Sequence, residues 1–344
     1  MFLHAGPFAF PAFCFFVFPF FCLFVFPFFC LFVTPLLIVS TTLLMVKYIS
    51  TVIHKNKTTG VIPLKIFSIA NAKGGVGKTT TAVNAAAGLA VLGKKTLLID
   101  LDYQANATYA LLGGEAEPPT IANVLLDNVP ISDAVRNVSE NLDILPSTLD
   151  LVAADTRLST QPGRDFALSL ALQKLPPDKY EYILADLPPN AGVMVLNGLA
   201  ASNYVIIPIQ MEFYAMKGVN IILDVIKLAR ERLNRNLAII GALGTMYDSR
   251  KNICLTSLRE MNESFGPLAF KTVIRSNVSL AVAPSQGKNI FELDARSYGG
   301  EDYMSFAREL IDRAEGRLAT EEGAGVVSEN EESEVALTEA GKES

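Results

Sequence analysis

The chain has no tryptophan, two histidines and four cysteines in 344 residues. His4 and His54 both precede the patterned body of the sequence. A His-based catalytic triad or a His-ligated zinc site is therefore excluded there. Cys14, Cys22 and Cys30 sit in an apolar N-terminal run, which leaves Cys254 alone in the body. One cysteine makes no internal disulfide and no cluster-ligating pair, so a reducing compartment fits and an iron–sulfur reductase does not.

Charge is missing too, but only locally. Residues 1–44 hold no Asp, Glu, Lys or Arg and carry fourteen of the twenty-one phenylalanines. They repeat every eight residues, with Pro11, Pro19, Pro27 and Pro35 in step with the three cysteines. That period matches neither a heptad nor the helical repeat, and a proline in every second turn would kink any helix. Three readings stand side by side: a DNA repeat translated upstream of a true start at Met45, a membrane anchor long enough to span, or a signal peptide. The last fits worst, since the run is too long and lacks a basic start. An anchor would keep the body on the cytoplasmic side through Lys47, Lys55 and Lys57. Residues 45–64 read as a linker.

The net charge of −6 is also uneven. From Glu315 to Ser344 nine glutamates face one arginine and one lysine, so this tail carries −7 and the rest of the chain +1. The tail's composition predicts disorder. Half of the residues are apolar, enough for one large α/β domain over 65–314.

Within that body, Lys65 to Ala70 reads as a buried parallel strand and Ala82 to Leu92 as a helix closed by Gly93. Between them runs Lys73-Gly74-Gly75-Val76-Gly77-Lys78-Thr79-Thr80. Glycines let consecutive amides turn inward on an anion, and the following helix adds its positive end. Lys78 then reaches the β- and γ-phosphates, and the Thr79 hydroxyl ligates Mg²⁺. Ala72 stands where the usual phosphate loop has its first glycine, and Lys73 adds a second positive charge. In this the loop resembles the deviant Walker A motif of the ParA/MinD ATPases.

Further along, Lys95 to Ile99 predicts a strand leading into Asp100-Leu101-Asp102-Tyr103-Gln104-Ala105-Asn106. The segment resembles the family's first switch, with Tyr103 and Ala105 replacing its proline and glycine. Tyr182 to Asp186 is an apolar strand ending in an acid, followed by Pro188-Pro189. An acid there holds Mg²⁺ through water. Strands are also read around Leu142 to Ser147, Ser202 to Gln210 and Ala238 to Met246. A long helix is read over Phe213 to Asn234, and an amphipathic stretch over Asp165 to Leu175.

The resemblance covers roughly 65–313 and leans toward the chromosome- and plasmid-partition branch. It implies a single doubly wound, mostly parallel α/β sheet of P-loop NTPase type, with ATP and Mg²⁺ as cofactors. By the same resemblance Asp102 positions the attacking water and Lys73 touches the nucleotide of a second copy. It implies a slow, partner-stimulated ATPase that forms an ATP-bridged homodimer. The dimer binds DNA without sequence preference, lets go after hydrolysis, and answers to a centromere-binding ParB-like activator. Such a protein is cytoplasmic and nucleoid-associated. Arg250 and Arg275 are the DNA-contact candidates, although Ser276 and Ser279 stand where the family carries arginines. The competing reading is a membrane-associated positioning ATPase like MinD. The acidic C-terminus argues against that protein's basic anchor helix, so membrane attachment would fall to residues 1–44. A scaffold that binds ATP without turnover is the third reading, and Asp102 speaks against it.

Overall fold

The computed structural model describes residues 64–317 except Tyr214. The readings of 1–44, of most of the linker and of the tail beyond Arg317 lie outside the described residues.

Eight strands form one sheet: β1 (Lys65–Ile69), β2 (Thr96–Asp100), β3 (Arg136–Ser139), β4 (Leu142–Leu145), β5 (Tyr182–Asp186), β6 (Tyr204–Gln210), β7 (Ala238–Tyr247) and β8 (Ala269–Arg275). Their order is β3-β4-β2-β5-β1-β6-β7-β8. All neighbours pair in parallel except β3, which runs antiparallel to β4 through a register shift at Asn137/Ser139. Six helices that bear on the site are numbered in chain order: α1 (Lys78–Val91), α2 (Asn106–Leu112), α3 (Val193–Ala201), α4 (Lys217–Arg232), α5 (Asn252–Phe265) and α6 (Tyr298–Ala314).

Every residue of β2 and β5 is buried. This is why both read as unbroken apolar runs: helices cover both faces, so no polar alternation is needed. The period of two survives in which face each residue serves. Leu97 and Ile99 join a core with Val195 of α3, Ile222 of α4 and Met261 of α5. Leu98, between them, joins the opposite core with Leu89 of α1 and Phe306 and Leu310 of α6. The doubly wound architecture follows from these two cores back to back.

Several boundaries differ from the sequence reading. The first helix begins at Lys78, not Ala82, because Gly77 in the left-handed region starts it directly from the loop. The strand expected over 95–99 runs one residue further and ends on Asp100. The long helix shortens to Lys217–Arg232, and the stretch 165–175 splits into a 3-10 turn at Arg164–Phe166 and a helix at Ala167–Leu172. Strand β3 has no counterpart in the sequence reading. It is four residues long, and Arg136, Asn137 and Ser139 are polar, as suits a sheet edge.

Candidate nucleotide site

In a parallel sheet all C-terminal strand ends share one rim, and the chain's phosphate-binding candidates gather there. Gly75 and Gly77 take φ of 77° and 87°, which residues with a Cβ adopt rarely. The loop between β1 and α1 is tied down on both sides. Asn71 accepts the Lys73 N–H at 3.0 Å and donates to the Pro208 carbonyl of β6 at 2.7 Å. Thr245 at the end of β7 donates to the Val76 carbonyl at 2.8 Å. The loop is thus held rigid by β6 and β7 while its glycines stay open.

A cleft of about 350 Å³ lies over this loop, lined by Gly74, Gly75, Gly77, Lys78, Thr79 and Thr80 on one side and Asp102, Tyr103, Gln104, Asn106, Pro189 and Met246 around it. Lys78 is buried beneath it, and its Nζ donates to the Lys73 carbonyl at 3.1 Å. Burial lowers the Lys78 pKa, and the carboxylates of Asp186 and Asp102 pull it back up. Lys73 does not line the cleft; its ammonium is ion-paired with Glu212, two residues past β6.

The acids lie opposite. Asp100 of β2 and Asp186 of β5 are register partners, and both are fully buried. Asp100 accepts three hydrogen bonds: from the Asp102 N–H at 3.1 Å, the Thr108 N–H at 2.8 Å and the Thr108 hydroxyl at 2.8 Å. Burial still raises its pKa to about 6, with these bonds holding it back. Neither oxygen of Asp186 has a hydrogen-bond partner in good geometry. Burial pushes its carboxyl well up and Asp100 adds to this, while the nearby Thr79 hydroxyl and Lys78 act the other way. An orphaned buried carboxylate facing a threonine hydroxyl is what a hard cation would satisfy. Among the described residues no group of three or more His, Cys, Asp or Glu side chains is arranged to hold a metal ion by itself. These donors therefore suit a Mg²⁺ held mainly by phosphate and water. Asp102 is almost fully buried on the cleft wall and accepts the Gln104 N–H at 2.9 Å.

The two arginine candidates lie elsewhere on the same rim, Arg250 just past β7 and Arg275 as the last residue of β8. Arg250 is 87% exposed and makes a two-pronged pair with Asp248. Arg275 donates to Asp302 at 2.6 Å and to Glu301 at 3.2 Å, and its guanidinium stacks 4.0 Å over the Tyr298 ring. Four supporting residues escape a sequence reading. Asn71, Thr245 and Glu212 act across the fold, with no local signal. Thr108 stands in the Asp-x-Asp segment, and its role follows only from the helix that carries it.

The AAA domain family matches residues 64–239. The sporulation initiation inhibitor protein Soj of Bacillus subtilis is 41% identical over 248 residues, 72% of this chain and 98% of that protein. The chain belongs to the Soj/ParA family of P-loop ATPases. The chromosome partitioning protein ParA of Myxococcus xanthus, another member, is 40% identical over 72% of this chain and 88% of its own length. Among solved structures, a Mycobacterium smegmatis cobyrinic acid a,c-diamide synthase with bound ATP analogue and magnesium superposes with a TM-score of 0.66. It is 32% identical, covering 75% of this chain and 99% of that one. The eight-stranded, mostly parallel sheet with helices on both faces agrees with this relationship.

Proposed function

We propose that this chain is a partition ATPase whose ATP-bound form is a homodimer in which Lys73 of each copy completes the site of the other. The observation that carries this is the placement of Lys73. It begins the phosphate loop yet stays outside its own cleft, paired with Glu212. A lysine so placed adds little to phosphate binding within its own copy. Across an interface it would neutralise the triphosphate of a neighbour.

The division of labour follows from charge. Lys78 and the loop amides of Gly74 to Thr80 neutralise the bound phosphates. Mg²⁺ would be held by the Thr79 hydroxyl and, through water, by Asp186; it supplies further charge neutralisation at the β- and γ-phosphates. Asp102 orients a water in line with the γ-phosphate. Turnover is slow until a ParB-like activator engages, and the protein resides on the nucleoid through non-specific DNA contacts. Among these, Arg250 is the readier contact, because its guanidinium is 87% exposed and held by Asp248 alone. Arg275 would first have to leave Asp302, Glu301 and Tyr298.

The test is Lys73→Gln in the full chain. Expected are near-normal ATP binding, loss of ATP-dependent dimerisation in analytical ultracentrifugation, and loss of hydrolysis. A variant that hydrolyses ATP at the parental rate while monomeric overturns the shared site. For the DNA arm, affinity with ATP should exceed that with ADP and fall steeply with salt.

A further inference from the structure

Asp102 can orient a water only if its backbone is fixed, yet it sits in a loop between β2 and α2. Tyr103 and Gln104 after it line the open cleft, and locally only the Ala105 N–H, at 2.9 Å, ties down its carbonyl. The fixing comes from behind. The Asp100 carboxylate, wholly buried, takes the N–H of Asp102 on one oxygen and both donors of Thr108 on the other. Thr108, also wholly buried, lies in the first turn of α2, and its hydroxyl oxygen in turn accepts the Ser147 N–H at 2.9 Å. Ser147 stands just past β4, so the chain of bonds runs from β4 through Thr108 to Asp100 and on to Asp102.

We propose that Thr108 and Asp100 are positioning residues for hydrolysis: together they lock the Asp102 backbone over the cleft. This rests on the reading of Asp102 given above. The geometry favours a lock over mere packing. Four donor–acceptor contacts, all buried, converge on one carboxylate and one hydroxyl, and three of them restrain the segment that carries Asp102. A threonine needed only for volume would not require its hydroxyl both to donate and to accept.

The hydroxyl can be removed without changing shape. Thr108→Val is nearly isosteric; Thr108→Ser keeps the hydroxyl and drops a methyl. For the full chain with MgATP, single-turnover hydrolysis and ATP affinity would be measured for the parent, both variants, Asp100→Asn and Asp102→Ala. Misplacing a catalytic group by about an ångström costs up to ~100-fold. Thr108→Val is therefore expected to hydrolyse about 10- to 100-fold more slowly at an ATP Kd within about twofold of the parent, with Thr108→Ser restoring most of the rate. A merely structural threonine would instead lower the melting temperature and weaken ATP binding in step with rate, in Ser and Val variants alike, and that pattern overturns the proposal. Should Thr108→Val fail to fold, Asp100→Asn carries the same split: slow hydrolysis at retained ATP affinity supports the lock, and parental hydrolysis sinks it. If Asp102→Ala hydrolyses at the parental rate, the reading of Asp102 falls and the lock with it. If Asp102→Ala is inactive while Thr108→Val is not, only the lock falls.

Discussion

Asp100 and Asp186 end adjacent parallel strands as register partners, two fully buried carboxylates with unequal surroundings. Asp100 is satisfied by three donors, whereas Asp186 has none in good geometry. One holds the chain, and the other is left free for something the chain must bind.

That asymmetry sets a pH dependence for the nucleotide-free protein. Both folded carboxyls titrate above their unfolded range, Asp100 near 6 and Asp186 also well up. For Asp100, between about pH 4 and 6 the folded state therefore keeps a proton that the unfolded chain has released, and for Asp186 the same holds from the ordinary carboxylate range upward. The contribution of each to stability falls as pH rises through its own window. Asp186→Asn should raise the melting temperature of the nucleotide-free protein at pH 7.5, with the gain shrinking toward pH 4. Each pKa unit is worth ~1.4 kcal/mol, so differential scanning fluorimetry across this range resolves it. The same variant should lose magnesium-dependent hydrolysis.

Lys78 is the cation nearest this acid pair, and burial already disfavours its charge. Bound phosphate would reward that charge strongly. Lys78→Ala should weaken ATP binding about 100-fold or more in isothermal titration, in contrast to Lys73→Gln, which should leave it nearly intact.

The two rim arginines should separate. Arg250→Ala is expected to reduce the salt slope of DNA binding by about one with a smaller loss of melting temperature than Arg275→Ala, since its guanidinium is 87% exposed and Lys251 still lies 4.0 Å from Asp248. Arg275→Ala strips Asp302, itself mostly buried, of the guanidinium and leaves it the residue 275 N–H. It should lower the melting temperature by several degrees and change DNA affinity less than Arg250→Ala does.

Gly241 in β7 is a packing requirement. A Cβ there would fall 2.6 Å from the Leu268 carbonyl oxygen and from the Phe270 ring, and 2.9 Å from an Arg313 nitrogen. Only the arginine could yield, and it is held by the Ile240, Leu268 and Ala269 carbonyls. Gly241→Ala should cost about 1–3 kcal/mol, read by urea denaturation, without altering ATP affinity.

Much of this was legible in the residues. The glycine loop was readable because its backbone demands leave few choices of side chain. The central strands were readable because burial on both faces forces unbroken apolar runs, as in Leu97–Leu98–Ile99. Strand β3 was not, since three of its four residues are polar and its strand conformation depends on pairing with β4. Nor was the partner of Lys73, because Glu212 lies 139 residues away and only the sheet order brings them together. Asp100 was visible as a carboxylate, but its role depends on how α2 turns Thr108 back onto β2.

At the other end of the sheet, α6 does more than cover a core. Glu309 accepts the N–H groups of Lys271 and Thr272, and Asp302 that of Arg275, so amides on the outer side of β8 are already occupied. Strand β3, on the opposite margin, is four residues long and irregular. A neighbouring molecule finds poor footing for extending this sheet strand by strand. The reversible pairing proposed above would then fall to the nucleotide-bearing rim, where hydrolysis would undo it.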